Sequence, residues 1–339
     1  MNDAVRRDSK RANTVIAAAA TAIQSPTRTI VRTHAAIVVA KAGVGPTCAK
    51  AIGAKTKANP AIAPTHKASS TIRTVNHMRC DSTVGASDPL TVALEAAREG
   101  AAVLVDYAHR PLEIREKGRR ADLVTAADRA SERAVIARLR GSFPSASILA
   151  EESGASPGTS DERWIVDPLD GTTNYAHGYP LYCISIAYER AGELIAAVVH
   201  APALGEVFAA EQGGGARVGA QAIGVSNIDR VADAMVCTGF HPADFERNAR
   251  HFARASARAQ AVRRDGSAAL DLAYTACGRF DGFWEYDLHA WDVAAGMLLL
   301  REAGGRITRV DGGPASLDGG SILATNARIH AELQGVLAG

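Results

Sequence analysis

The chain has 339 residues, a formal charge of +2 and 5% aromatic residues, a length that suits one large domain or two modest ones. No stretch is apolar enough to span a membrane, and Cys48, Cys80, Cys183, Cys237 and Cys277 never fall at C-x-x-C spacing, which argues against a zinc or redox motif and for a reduced, cytoplasmic setting. The small net charge hides an asymmetry: residues 1–80 carry 13 Lys/Arg against 2 Asp/Glu (+11), and residues 81–339 carry 25 against 34 (−9).

The basic segment 1–80 contains no Phe, Tyr or Trp; the first aromatic is Tyr107. Ala-, Thr- and Lys-rich text such as "AKTKANPAIAPTHKASS" offers few large groups with which to build a core. A helix near 13–23 or a strand at 36–40 would not be stable alone. Three readings compete: a disordered basic arm, a targeting peptide, or an extension translated from a start codon placed upstream of Met78. The last is preferred. Nucleic-acid binding by the tail is not expected, because phosphate contacts alone are non-specific and the tail has no stacking platform. The chain therefore divides into residues 1–80, an extension, and 81–339, a folded domain.

From residue 87 the texture changes. Ser87 is placed to cap a helix with Asp88 and Pro89 in its first turn and Leu90, Ala93, Leu94 and Ala97 on its apolar face. A second helix is predicted over 126–140, with Ala130, Ala134, Val135, Ile136 and Leu139 toward the core, ended by Gly141 and Pro144. Apolar runs at 147–150, 163–166, 183–189, 194–202 and 205–212 then alternate with turns and read as strands. Further on, helices are expected at 245–258, 266–277, 290–303 and 327–337, and strands at 235–239, 280–285, 305–310 and 321–324. This order suggests an α+β or layered α/β fold. Cys183 and Cys277 lie in apolar runs and read as core packing.

The stretch "WIVDPLDGTTNY" (164–175) carries the densest chemistry. A strand delivers Asp167, and Pro168 should turn the chain so that Asp167 and Asp170 converge. Gly171, Thr172 and Thr173 follow at a helix start, where free N–H groups favour an anion such as phosphate. Glu151 and Glu152 end the strand "SILA", and Asp292 opens an apolar helix in "WDVAAG". Each has a plain structural alternative: an Asp-Pro turn, a solvated loop, a first-turn acid favoured by the helix dipole. Taken as ligands, Glu151, Asp167, Asp170 and Asp292 form an oxygen-only set that suits Mg²⁺ or Mn²⁺ better than zinc.

The motifs "AEES", "WIVDPLDGTTNY" and "WDVAAG", together with "DLVTAAD" and "RRDGSAALDLAY", resemble the inositol monophosphatase family over about residues 88–337. The bacterial branch is the more similar, through "GSAALDLAYTACGRFDGFWE". The resemblance implies the layered α-β-α-β-α sandwich of the sugar phosphatases. It also implies a Mg²⁺-dependent, Li⁺-sensitive homodimeric hydrolase of inositol monophosphate that works by metal-activated water. Histidinol phosphate and other small esters are alternative substrates. Carried over, Glu151, Asp167 and the carbonyl of Leu169 would hold one Mg²⁺, and Asp167, Asp170 and Asp292 a second, with a third, weaker ion near Glu151. Thr172 and Glu151 would orient and deprotonate the water, with Asp128 hydrogen-bonded to Thr172. The N–H groups of Gly171 and Thr172 would hold phosphate; Glu285, Gly266, Ser267, Ala268 and the loop lysine Lys117 would face the substrate. Asp128 also reads as a first-turn acid, Lys117 as a solvated loop charge, Glu285 as a strand-end acid and His289 beside Trp291 as a rim residue. The same branch implies a second role, as a partner of the transcription machinery in antitermination and ribosomal RNA maturation, with Arg263 and Arg264 at a surface or dimer contact.

Overall fold

The computed structural model describes residues 88–109, 114–116, 123–240 and 245–339. The expectations for 13–23 and 36–40, the capping role of Ser87 and the position of Lys117 lie outside them. Helix α1 (Pro89–Tyr107) is capped one residue later than predicted: Asp88 accepts from the Thr91 N–H at 2.9 Å, with Pro89 in the first turn. The short strands β1 (Ile114–Glu116) and β2 (Leu123–Thr125) pair antiparallel ahead of α2 (Ala126–Ser142).

Next come β3 (Ser147–Ala150), β4 (Gly154–Ser156), β5 (Glu162–Asp170), the one-turn helix α3 (Thr172–Ala176), β6 (Cys183–Arg190), β7 (Glu193–Ala201), β8 (Glu206–Glu211), β9 (Gly215–Val218) and β10 (Gln221–Ala222). They form an eight-stranded sheet in the order β10-β9-β8-β7-β6-β5-β3-β4. A 3₁₀ turn (Val231–Asp233) leads to β11 (Met235–Thr238), α4 (Phe245–Ser256), β12 (Ala261–Arg263), α5 (Ala268–Ala276), β13 (Gly282–Leu288), α6 (Ala290–Glu302), β14 (Arg306–Thr308), β15 (Gly320–Thr325) and α7 (His330–Ala338). The second sheet has the order β12-β11-β13-β15-β14.

Side-chain alternation sorts these elements into five layers. On β5, Trp164 and Val166 pack with α1 and α2, while Ile165 faces the middle core with α5 and α6. On β13, Phe283 joins that middle core and Trp284 packs against α7 with Leu333 and Leu337. The central strands are buried on both faces, which is why they read as unbroken apolar runs. The result is the layered α-β-α-β-α sandwich. In the middle layer α5 and α6 approach closely, because a Cβ at Gly296 would lie 2.4 Å from Leu272.

Two expectations are corrected. Pro168 does not end the strand: β5 continues to Asp170 through a register shift against β6, so the proline occupies a bulge that needs no ladder donor. The buried face of α2 is also rotated from the predicted one. It carries Ala127, Asp128, Ser131, Glu132, Val135 and Leu139, while Ala130, Ala134 and Ile136 are only partly covered. The polar members of that face are buried because they hold the site loops.

Candidate active site

Parallel pairing of β3 and β5 sets Ala150 opposite Val166, so Glu151 and Asp167 leave neighbouring strands at the same end. The Glu151 N–H donates to the Val166 carbonyl at 3.1 Å. The bulge then presents both Asp167 and Asp170 at the C-terminal end of β5. Its backbone is tied from α2: Ser131 Oγ donates to the Pro168 carbonyl at 3.0 Å. Glu132 Oε2 accepts from the Glu152 N–H at 2.9 Å, fixing the loop after β3.

The far half of the chain closes the cluster. Ser185, paired with Asp167, donates to the Trp291 carbonyl at 3.0 Å and seats the first turn of α6 against the sheet. Asp292 sits in that turn and accepts from the His289 N–H at 2.6 Å. It is therefore a helix-start acid, as the plain reading had it, and it also faces Asp167 and Asp170. Asp170 Oδ2 accepts from Ser267 Oγ and the Ala269 N–H, each at 2.7 Å, at the start of α5.

Four carboxylates thus meet where water is scarce. Asp167 is 2% exposed. Burial first, and then repulsion from Glu151, Asp170 and Asp292, holds its carboxyl well above the usual range. Asp170 is pushed up to about 7 by burial and Asp292, against hydrogen bonds from Ser267 and from the N–H groups at the start of α5. Glu285 on β13 is raised by burial, Asp292 and Asp170, with Arg264 opposing. Such a cluster suits a hard divalent cation: its donors are all oxygens, and a cation removes the repulsion that raises them.

Asp128 serves two purposes. Its Oδ2 accepts from the Thr125 N–H at 2.8 Å and completes the capping box of α2. Its Oδ1 accepts from Thr172 Oγ1 at 3.0 Å. The same hydroxyl lies 3.1 Å from the Leu169 carbonyl. Gly171 caps the short α3 at φ 92°, and a Cβ there would lie 2.9 Å from the Leu181 carbonyl, so the turn before Thr172 needs glycine. Asn174 Nδ2 donates to the Asp265 carbonyl at 2.8 Å, which brings Gly266, Ser267 and Ala268 beside this turn. Glu285 packs against Gly239, where a Cβ would lie 2.2 Å from its carboxylate. Cys183, read as core packing, is buried but also lines the cluster, its Sγ 3.8 Å from Asp170 Oδ2 and 3.5 Å from Ser267 Oγ. His289 stacks on Trp291 at 4.8 Å and stays at the exposed rim. Sequence reasoning missed Ser131, Glu132 and Ser185, whose only signal was a polar residue inside an apolar pattern. It also missed a grouping of Cys237, Asp265 and Asp271, whose ligand atoms lie within 4.8 Å of one another.

The family model described as the inositol monophosphatase family matches residues 86–338. An inositol-1-monophosphatase of Mesorhizobium japonicum is 43% identical over 253 residues, covering 72% of this chain and 94% of the relative. The Nus factor SuhB of Pseudomonas aeruginosa is 38% identical, covering 70% and 92%. Among solved structures, the inositol monophosphatase of Anabaena superposes with a TM-score of 0.67 at 42% identity, covering 74% of this chain and 94% of that one.

Proposed function

The chain belongs to the inositol monophosphatase family, and from that premise we propose that it hydrolyses inositol monophosphate with Mg²⁺ as cofactor. The observation that carries the reading is the burial of Asp167 among Glu151, Asp170 and Asp292. Glu151, Asp167 and the Leu169 carbonyl would hold one Mg²⁺, and Asp167, Asp170 and Asp292 another, with a weaker third near Glu151. Mn²⁺ would fit the same donors. When bound, the ions supply charge neutralisation at the phosphate and a water of lowered pKa.

As water adds to phosphorus the ester P–O bond breaks and the leaving inositol oxygen takes a proton from solvent; the protein groups bind the phosphate and carry away the water's proton. The first N–H groups of a helix have no partner inside it, so those of Gly171 and Thr172 are available to phosphate oxygens. Glu151 orients the attacking water. Thr172 Oγ1 takes a proton from that water as its own passes to Asp128 Oδ1, the acceptor it already faces. Glu285, on the Gly239 side of the cluster, receives the substrate hydroxyls, with Gly266, Ser267 and Ala268 forming the adjoining wall. Lys117 is proposed for the entrance.

Phosphate release from inositol 1-phosphate tests this, with and without Mg²⁺, with added Li⁺, and beside histidinol phosphate. Mg²⁺-dependent, Li⁺-inhibited turnover that favours the inositol ester supports the whole reading. Preference for histidinol phosphate keeps the metal apparatus and replaces the substrate. No turnover of either by a folded, Mg²⁺-binding chain removes the proposal. We expect a homodimer and a cytoplasmic site of action; among the described residues no helix is long and apolar enough to cross a membrane.

A second reading rests on the similarity to a Nus factor. The same fold would then bind the transcription machinery, with Arg263 and Arg264 at the contact. The Asp167→Asn variant separates the two roles: lost hydrolysis with retained partner binding establishes binding as independent. Residues 1–80 are proposed to take no part in catalysis, so a chain beginning at Met78 should hydrolyse the ester at the full rate.

A further inference from the structure

Cys237 lies on β11 and faces the middle layer, across from α5. Asp271 projects from the first turn of α5, and Asp265 precedes that helix. One ligand atom from each lies within 4.8 Å of the other two. Asp271 is 1% exposed, both its carboxylate oxygens are sealed from water, and the hydrogen-bonding group set against them is the Cys237 thiol, a weak donor. The Cys237 thiol faces them, and the carboxylates acting on Asp271 are Asp265, Glu285 and Asp170. A carboxylate buried in this way is costly without a cation or a proton. A buried acid whose partners are a thiol and a second acid is a donor set that a positive charge would stabilise.

We propose that Cys237, Asp265 and Asp271 form a second cation site that takes a thiophilic divalent ion of the Zn²⁺ class. A thiolate beside two carboxylates prefers a borderline-soft ion, whereas Mg²⁺ prefers oxygen alone. Tetrahedral zinc places its ligand atoms about 3.5 Å apart, a spacing within the 4.8 Å bound of the three groups, with solvent as the fourth ligand. Asp265 is the half-buried member and marks the side of entry. The site adjoins the catalytic cluster without sharing a ligand with it: the start of α5 holds Asp170 through Ser267 and Ala269, and Asp271 lies on the same helix beyond them. The inference does not depend on the phosphatase reading.

Co²⁺ titration of the full chain is the test, because a cobalt–thiolate bond gives near-ultraviolet charge-transfer absorption that an oxygen-only centre lacks. The expected result is a saturable thiolate band that Zn²⁺ displaces and millimolar Mg²⁺ does not. The band should fall at least tenfold in Cys237→Ser and in Asp271→Asn. It should persist when Cys48, Cys80, Cys183 and Cys277 are all serine. Three results would overturn the proposal: no band in the wild type, a band that Mg²⁺ erases, or a band that survives Cys237→Ser but not Cys183→Ser. If Cys237→Ser fails to fold, the variant with serine at Cys48, Cys80, Cys183 and Cys277 decides the matter, because Cys237 is its one remaining thiol and loss of the band there overturns the proposal.

Discussion

Asp128 shows how one side chain can satisfy two readings at once. Its Oδ2 caps α2 and its Oδ1 faces Thr172. From sequence the two roles looked like rivals, because Thr172 is 44 residues away and only the fold brings it close. They can be separated by mutation. Thr172→Val leaves the cap intact and removes the proton path, so kcat should fall on the order of 10²-fold while the melting temperature barely changes. Asp128→Ala should lower kcat similarly and also cost about 1–2 kcal/mol of stability, as a lost buried cap does. Equal melting curves for wild type and Asp128→Ala would reject the dual role. The acidic cluster announced itself in sequence because carboxylates gathered at strand ends are chemically conspicuous. Cys237 did not, because its two partners are 28 and 34 residues further on and no short spacing links them.

At the scale of the element, α5 anchors a proposed ligand rather than merely filling the middle layer. Ser267 Oγ and the Ala269 N–H converge on one oxygen of Asp170. Their contribution opposes the burial and repulsion that push Asp170 up to about 7. Outer hydrogen bonds of this kind typically govern metal affinity by 10–100-fold. Ser267→Ala should therefore weaken Mg²⁺ activation about tenfold, with kcat largely restored at saturating Mg²⁺. A variant with unchanged Mg²⁺ dependence would show that the helix N–H alone suffices. Long elements were legible because burial on both faces of a strand and the apolar stripes of helices leave clear patterns. The extension of β5 past Pro168 was not, because a bulge removes the donor requirement that normally excludes proline. Strands β4, β9, β10 and β12 span two to four residues and leave no period to detect.

For the whole molecule, layered order followed from element order, but strand order within each sheet did not, since pairing across the middle core is decided by packing rather than by local pattern. The same layering makes stability respond to ions and protons together. In the metal-free protein the folded-state pKa of Asp170 is raised above its unfolded value. The folded state then binds more protons than the unfolded one between about pH 4 and 7, and that stabilisation is lost as pH rises through about 7. Divalent cations compete with those protons. Mg²⁺ should consequently raise the melting temperature more at pH 8 than at pH 6, a gain of about 2.7 kcal/mol at a hundredfold excess over Kd. His330 acts in the opposite sense. It is 1% exposed and sits between Thr308 and Thr325, joining α7 to the outer strands of the second sheet. Thr308 donates to the Arg309 carbonyl, so it accepts from His330 Nε2–H, and the imidazole is held neutral. Burial, and then Arg306, depresses its pKa to about 4. The unfolded chain takes up the proton first, near the ordinary histidine value of about 6.5. Stability is therefore full above that pH and is lost as pH falls toward 4, by about 3 kcal/mol. The measurement is a pair of denaturant titrations from pH 7 to 4, on wild type and His330→Gln, at saturating Mg²⁺. The glutamine variant should be less stable at pH 7, and the gap should narrow as pH falls. A gap that stays constant across that range would show that folding does not depress the His330 pKa.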